Sequence, residues 1–376
     1  MILFIDNKQT PSDGFRTPRY VLFSEVLRKE GYTTQLILGS WHHGLKKRIV
    51  NESDSIHLIK SISYQKHIGV KRFLSEFLFG YQVIFQHLAL VKKARLIVLN
   101  DSSLFYNYLF FFLKPFFKYK ILLDSNDLWP EIFVKNKKVR KILFIFKRII
   151  YSKADYFIAV NKEYLDYYDY LKSKNLGVID LGLTLERNKD IKCNLFNKNS
   201  RRFLYLGSLG VNYKIEDICQ FIFDNEGYEL DCYGSGSKAN IVKEFELKSK
   251  GRIRLFDPKS LEYFKKLGNQ YCFGLALYSA DSLVKFPTKL FDYWAFSLPI
   301  IVNVGEDVDK RLNDNPELGY FLKNNEDLNK KLIDDYLEKY NQVINENEFT
   351  IDARVLGVFS KINDLMLGEL KHDLIN

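Results

Sequence analysis

Short apolar runs alternate with longer amphipathic segments along nearly the whole chain, and this alternation leaves few folds open. Ile2–Ile5, Thr33–Leu38, Leu96–Leu99, Ile121–Leu123, Tyr156–Val160, Phe203–Leu206, Glu229–Tyr233, Ile253–Phe256, Phe273–Leu277 and Ile300–Asn303 read as strands. Arg19–Glu30, Phe73–Lys92, Val139–Ser152, Ile215–Phe223, Leu261–Lys266 and Lys289–Phe296 carry helical spacing between them. Strands that are apolar throughout, rather than alternating, belong to parallel sheets covered by helices on both faces. The expected fold is α/β, with two Rossmann-like doubly wound halves in tandem. The polar stretch Thr184–Arg202, rich in Asn and Lys and without periodicity, separates them. This gives an N-terminal domain over 1–183, a linker over 184–202, a C-terminal domain over 203–345 and a closing helical segment over 346–376. Open α/β sheets bind ligands outside the carboxyl ends of their strands, so the chemistry is expected in a central cleft that both halves face.

Composition narrows the partners. With 27% charged residues, 8 Pro and 20 Gly in 376 residues, the chain is neither disordered nor of low complexity. An excess of 56 Lys+Arg over 46 Asp+Glu favours an anionic partner: a phosphorylated substrate, an acidic lipid surface or nucleic acid. The basic residues follow no nucleic-acid reader motif, so nucleic acid is not expected. Cys193, Cys219, Cys232 and Cys272 show neither Cys-x-x-Cys spacing nor a histidine at zinc-ligand distance, which points to a reducing cytoplasm and no structural metal. The opening Met-Ile-Leu-Phe-Ile-Asp lacks the basic region of a signal peptide. The most apolar stretch, Leu104–Phe117, is interrupted by Asn107 and Lys114-Pro115 and falls short of the roughly 20 residues of a spanning helix. His42-His43 reads as a loop pair, and no Ser/His/Asp or Cys/His set supports a nucleophilic hydrolase.

The segment Ser282–Val302 carries the most chemical information. Pro287 suits a first helical position, which leaves the amides of Thr288, Lys289 and Leu290 at a helix start where an anion is favoured. Asp292 lies one turn on, on the face of Thr288, and a carboxylate there can accept two hydrogen bonds from a ribose diol. The same residues also fit a plain proline-capped helix with an exposed acid. Gly14 sits in the loop after the first strand, where a missing Cβ lets backbone approach a phosphate, or where the chain merely turns. Arg16 and Arg19 suit a leaving diphosphate or an anionic acceptor, or simple solvation of the helix start. Tyr233-Gly-Ser-Gly236 ends a strand without separating sugar-nucleotide from dinucleotide binding. Asn126-Asp127 follows the strand Ile121–Leu123 at a sheet edge where substrate groups are expected, although Asp127 equally suits an N-cap.

Two stretches are similar to known signatures. Lys289-Leu-Phe-Asp-Tyr-Trp-Ala-Phe-Ser-Leu-Pro-Ile-Ile301 resembles the nucleotide-sugar motif of family 4 glycosyltransferases, which have the two-domain GT-B fold, and in particular their bacterial surface-polysaccharide branch. Leu122-Leu-Asp-Ser-Asn-Asp-Leu-Trp-Pro-Glu131 resembles that branch's Asp-x-Arg-Asp-Leu-Trp-Pro-Glu segment and is the more specific match. Tyr205-Leu-Gly-Ser-Leu-Gly210, Tyr233-Gly-Ser-Gly236 and Ser12-Asp-Gly-Phe-Arg16 follow the family's order.

The resemblance implies that Asp292 binds ribose and that the amides at Thr288 and Lys289, following Pro287, cradle a diphosphate. It places Gly207 and Ser208 beside the donor and gives Lys214 the charge on the leaving group. Asn126 and Asp127 would face the reacting sugar, and Phe256-Asp257 would rest against the nucleobase. Ser208 stands where the family has an arginine, with Lys285, Arg16 or Arg19 as substitutes, and Val284 stands where it has a glutamate. Asp124-x-x-Asp127 is also compatible with the metal-binding aspartates of the GT-A fold. The implied activity is transfer of a sugar from a nucleoside diphosphate donor to a glycan or polyprenyl-linked acceptor, with retention and without metal or other cofactor. A sugar-nucleotide 2-epimerase and a non-catalytic nucleotide-sugar-binding subunit are the alternatives. The basic–aromatic stretches Lys135–Lys153 and Leu104–Lys120 suit anionic lipid, which would hold a cytoplasmic enzyme on the cytoplasmic face of the inner membrane.

Overall fold

The computed structural model describes residues 1–10, 17–42, 47–50, 53–63, 70–126, 128, 134, 136–182, 192–280, 282, 284–323, 326–340, 350–366 and 370. These divide into two compact units, one drawn from Met1–Asp13, Thr17–Leu181 and Ile351–Asn376, the other from Gly182–Thr350.

The first unit runs β1 (Ile2–Asp6), α1 (Arg19–Lys29), β2 (Thr34–Gly39), β3 (Trp41–His42), β4 (Lys47–Arg48), β5 (Ile56–Ile59), α2 (Val70–Lys93), β6 (Leu96–Asn100) and α3 (Leu104–Phe117). It continues through β7 (Lys120–Ser125), α4 (Lys137–Tyr151), β8 (Tyr156–Ala159), α5 (Lys162–Tyr167) and β9 (Asn175–Val178). Seven strands pair in parallel in the order β5-β2-β1-β6-β7-β8-β9. β3 and β4 form a small antiparallel hairpin. The central strands β1 and β6 are buried at every position, as continuous apolar runs between two helical layers must be. Asparagine side chains start two of the helices. Asn136 accepts from the amides of Lys138 and Val139 at 2.9 and 3.3 Å, and Asn161 from that of Tyr164 at 2.7 Å.

The second unit runs β10 (Arg202–Ser208), α6 (Ile215–Asp224), β11 (Glu229–Ser235), α7 (Ala239–Lys248), β12 (Ile253–Phe256) and α8 (Leu261–Phe264). Then follow β13 (Phe273–Ala276), α9 (Lys289–Ala295), β14 (Ile300–Val302), α10 (Glu306–Asp314), β15 (Gly319–Phe321) and α11 (Lys330–Lys339). Its six strands are parallel, in the order β12-β11-β10-β13-β14-β15. The last helix, α12 (Asp352–Leu365), lies in the segment expected to close the chain, and it packs on the first unit. Phe359 meets Phe23 of α1 at 6.3 Å and Phe4 of β1 at 6.1 Å between ring centroids.

In each sheet the chain builds outward from one strand and then reverses direction. The reversal falls between β1 and β6 in the first unit and between β10 and β13 in the second. The crevices outside the carboxyl ends of those pairs are where open α/β sheets take their ligands.

Candidate functional site

In the second unit β10 and β13 pair only over Phe203↔Phe273 and Leu204↔Gly274, then part. Tyr293 of α9 fills the gap: its buried hydroxyl accepts from the Leu206 amide at 2.9 Å and donates to the Leu275 carbonyl at 3.1 Å. The ring lies so close to Gly274 that a Cβ there would approach ring carbons to 2.5 Å. Tyr293→Phe should therefore cost about 1–3 kcal/mol for each backbone group left buried and unpaired, a loss to be read from urea denaturation.

Beyond this junction a cavity of about 360 Å³ opens at the switch point. Leu206, Gly207 and Ser208 from the end of β10 form one side, Tyr278 after β13 another, and Thr288, Lys289 and Asp292 from the start of α9 a third. Tyr213, Tyr233, Pro258, Lys259, Leu261 and Phe264 complete it. Gly207 has φ +105, a conformation that side-chain-bearing residues rarely adopt, and a Cβ there would meet Lys289 Cε and Nζ at 4.0 Å. Glycine at this position keeps the backbone turn open beside the lysine.

Lys289 is the unusual group. It is only 8% exposed, and its Nζ has no hydrogen-bond partner among the described residues. Instead the ammonium sits 4.1 Å from the ring centroid of Tyr205, 4.5 Å from that of Tyr213 and 5.9 Å from that of Tyr278. The quadrupoles of three aromatic faces compensate a cation in part, but without a counter-ion they do not replace its hydration. Burial lowers its pKa from 10.5 to about 7, against the opposing influence of Cys232 and Asp292. The cavity thus holds a titratable amine with no hydrogen-bonded anion among the described residues.

The cavity unites Gly207, Ser208, Thr288, Lys289 and Asp292 of the residues the sequence singled out. Pro287 precedes the N-cap Thr288 instead of taking the first helical position, and its carbonyl accepts from the Leu290 amide at 3.3 Å, so that amide is not left open at the helix start. Lys289 enters it as a buried side chain rather than as a surface cation. Lys214 does not line it. Its ammonium lies 3.6 Å from Asp217 and 3.9 Å from Asp327, in a separate depression that these residues share. Phe256 stands behind the wall, stacked on Tyr233 with centroids 4.6 Å apart. Asp257 is exposed and Lys285 half-buried, and neither lines the cavity. Gly14, Arg16 and Asp127 lie outside the described residues.

The first unit's switch point carries a belt of buried polar side chains. Asp6, at the end of β1, accepts from the Lys8 amide at 2.7 Å and from the side-chain amides of Gln9 and Asn100 at 2.9 Å each. Desolvation nevertheless raises its pKa above the usual carboxylate value. Lys8 donates to the carbonyl and hydroxyl of Ser102. Asp101, fully buried just after β6, accepts from the hydroxyls of Ser125 at 2.9 Å and Tyr168 at 2.7 Å and from the Asn126 amide at 3.2 Å. Asn126 is held there by its backbone, and its side-chain oxygen is buried without a partner among the described residues.

Arg19, expected to meet an anion, instead turns inward. It binds both carboxylate oxygens of Asp124, at 2.8 and 3.1 Å, and the carbonyls of Ile179 and Asp180 at 2.7 Å each. Its guanidinium also lies 4.4 Å from the Phe23 ring centroid. At 8% exposure it ties strand ends together rather than offering itself to a ligand. The sequence reading passed over Asp6, Asn100, Asp101 and the tyrosines around Lys289. The available signal was position, because Asp6, Asn100 and Tyr278 each end or directly follow an apolar run.

Two tandem α/β units, each a parallel sheet with a switch point, constitute the GT-B type of fold. No family model and no curated protein sequence matches the chain, but solved structures do. AviGT4, a glycosyltransferase involved in avilamycin A biosynthesis, is similar with a TM-score of 0.55 at 9% identity, covering 97% of this chain and 98% of that one. A UDP-N-acetylglucosamine 2-epimerase aligns with a TM-score of 0.54 at 10% identity over 98% and 96% of the two chains. MnaA of S. aureus, solved with UDP, gives 0.51 at 11% identity over 99% and 98%. At these identities the likeness establishes the fold.

Proposed function

We propose that this chain is a glycosyltransferase of the family 4 type, moving a sugar from a nucleoside diphosphate donor to a glycan or lipid-linked glycan in bacterial surface-polysaccharide assembly. The observation that carries the reading is Lys289, a buried amine without a hydrogen-bonded anion, lining a cavity at the switch point of a parallel sheet. Beside the carboxylate of Asp292, a diphosphate supplies the hydrogen-bonding anion that Lys289 lacks among the described residues. Its oxygens would meet Lys289, the backbone at Gly207 and Ser208, and the Thr288 hydroxyl, while Asp292 would accept from the ribose. The leaving-group role that the resemblance gives to Lys214 passes to Lys289. As the bond from anomeric carbon to phosphate oxygen breaks, negative charge grows on the diphosphate, and a fixed cation in a site shielded from water stabilises that change. The reading invokes no metal, and it assigns the acceptor to the first unit with retention at the anomeric carbon.

Calorimetric titration with UDP tests it. Wild type should bind, and Asp292→Ala should lose at least about tenfold in affinity, equivalent to about 1.4 kcal/mol. Unchanged affinity would remove Asp292 from the site. The likeness to a UDP-N-acetylglucosamine 2-epimerase supports a second reading, a sugar-nucleotide 2-epimerase. Incubation of a sugar nucleotide without acceptor separates the two, because only an epimerase inverts carbon 2 under those conditions.

A further inference from the structure

The first unit carries a surface that its fold does not use. The connections β5–α2–β6, β6–α3–β7 and β7–α4–β8 step across the sheet in one direction, and right-handed crossovers place such helices on one face. They pack in that sequence. Phe79 of α2 meets Tyr106 of α3 at 5.1 Å, and Tyr108 of α3 meets Phe146 of α4 at 5.9 Å between centroids. Their inner sides fill the core with Phe79, Val83, Tyr106, Phe110 and Tyr151.

Their outer sides are also apolar. Most of the exposed large hydrophobic side chains among the described residues lie on these three helices. On α2 they are Leu74, Phe77, Tyr81 and Phe85, the last 80% exposed. On α3 they are Phe105, Phe112 and Phe116, and on α4 Val139, Ile142, Ile145, Phe146 and Ile149. Each set follows helical spacing, so each is a stripe along one side of its helix. Monomeric proteins rarely leave a contiguous apolar surface of this kind without a use for it.

The exposed charges carried by these three helices have one sign. α3 and α4 contain no acidic residue, and the only acid of α2, Glu76, is fully buried. Lys71, Lys92, Lys93, Lys137, Lys138 and Lys141 are exposed on α2 and α4. An apolar ridge flanked by cations and free of exposed acids complements an anionic lipid surface, where apolar side chains enter the interface and lysines meet headgroups. A second copy fits less well, because it would bring cations against cations. Nucleic acid fits less well too: the exposed aromatics of α2 and α3 can stack on bases, but Val139, Ile142, Ile145 and Ile149 of α4, the helix that carries Lys137, Lys138 and Lys141, cannot. By length and mean hydropathy alone, Phe73–Lys93 suffices to cross a membrane. Within it, however, Phe79, Val83 and Val91 are fully buried in the core of the sheet, so the helix is fixed beside a bilayer and not threaded through it.

We propose that the face formed by α2, α3 and α4 docks on an anionic lipid bilayer. This goes beyond the transfer reading and stands without it.

The test is flotation of the purified full chain with vesicles of phosphatidylcholine alone or with phosphatidylglycerol added. The chain should float only with the anionic vesicles, and added salt should weaken the association. Phe112→Ser with Phe116→Ser, and separately Lys137→Glu with Lys138→Glu and Lys141→Glu, should each lower the bound fraction at least about tenfold, whereas Leu247→Ser, at an exposed apolar position of the second unit, should leave it unchanged. All the substitutions are on exposed or half-exposed positions, and matching thermal melts would show that the fold is kept. UDP affinity should be the same in every variant, so failure of the docking proposal and failure of the nucleotide-binding reading are told apart. The proposal is overturned if the wild type does not float with anionic vesicles, or if both face variants float as the wild type does. It is overturned equally if the face variants abolish self-association or RNA binding while flotation persists.

Discussion

Lys289→Met should stabilise the protein at neutral and acidic pH, with a gain that fades as pH rises. In the unfolded chain this amine holds its proton up to about 10.5, whereas in the native cavity it loses it near 7. Below about pH 7 both states are protonated, and the native state bears the full cost of a buried ammonium. Between about pH 7 and 10.5 the native state has lost the proton that the unfolded chain keeps, so wild-type stability climbs. The penalty removed by methionine amounts to roughly 4–5 kcal/mol at about pH 6, less up to about 2 kcal/mol of lost cation–π attraction. Urea denaturation of both proteins across this range measures the difference, and a pH-independent gap would show that Lys289 does not titrate as described. The same substitution should harm function. A bound diphosphate raises the amine's pKa again, so binding at about pH 8 should take up a fraction of a proton, visible as a dependence of calorimetric heat on the buffer's ionisation enthalpy. Lys289→Met should bind UDP at least about tenfold more weakly and without that buffer dependence.

Asp124→Leu should be among the most damaging single substitutions in the first unit, at about 3–5 kcal/mol, because it leaves the Arg19 guanidinium buried with only carbonyl partners. Arg19→Ala should cost a similar amount by stranding the Asp124 carboxylate, and should also release the chain ends at Ile179 and Asp180. The double variant Arg19→Met with Asp124→Leu should recover much of the loss, since well-packed apolar replacements of a buried pair are often nearly neutral. Denaturant midpoints of the wild type, Asp124→Leu, Arg19→Met and the double variant form a double-mutant cycle. If Arg19 served an external anion instead, Arg19→Ala would change ligand affinity and leave the midpoint near wild type.

The strands that the sequence did not reveal are β5, β9 and β15 together with the hairpin, and the sheet orders explain why. β5, β9 and β15 are all edge strands. An edge strand packs with one neighbour and is half-exposed, so Ile56–Ile59 and Asn175–Val178 lack the unbroken apolar run that marks a central strand such as Leu96–Asn100. Helical spacing marked Phe73–Lys92 and apolar density marked Leu104–Phe117, and both are helices. Among the described residues Leu104–Phe117 has the densest aromatic run, but Phe73–Lys93 is the helix long and apolar enough to cross a membrane by length and composition.

The sequence by itself determined the parallel α/β architecture, because continuous apolar strands bury their backbone polar groups only in a sheet covered on both faces. It also determined the stretch from Gly207 to Asp292 that bounds the cavity, because the turn-forming glycine and the proline-led helix leave local marks. Only the tertiary structure decided which cations line the cavity. Lys214, Lys289 and Arg19 are all basic residues in the sequence, yet one pairs with Asp217 and Asp327 outside the cavity, one lies buried among three tyrosines, and one holds Asp124 in the first unit. Their roles follow from desolvation and from partners far away in the chain, and sequence patterns carry neither.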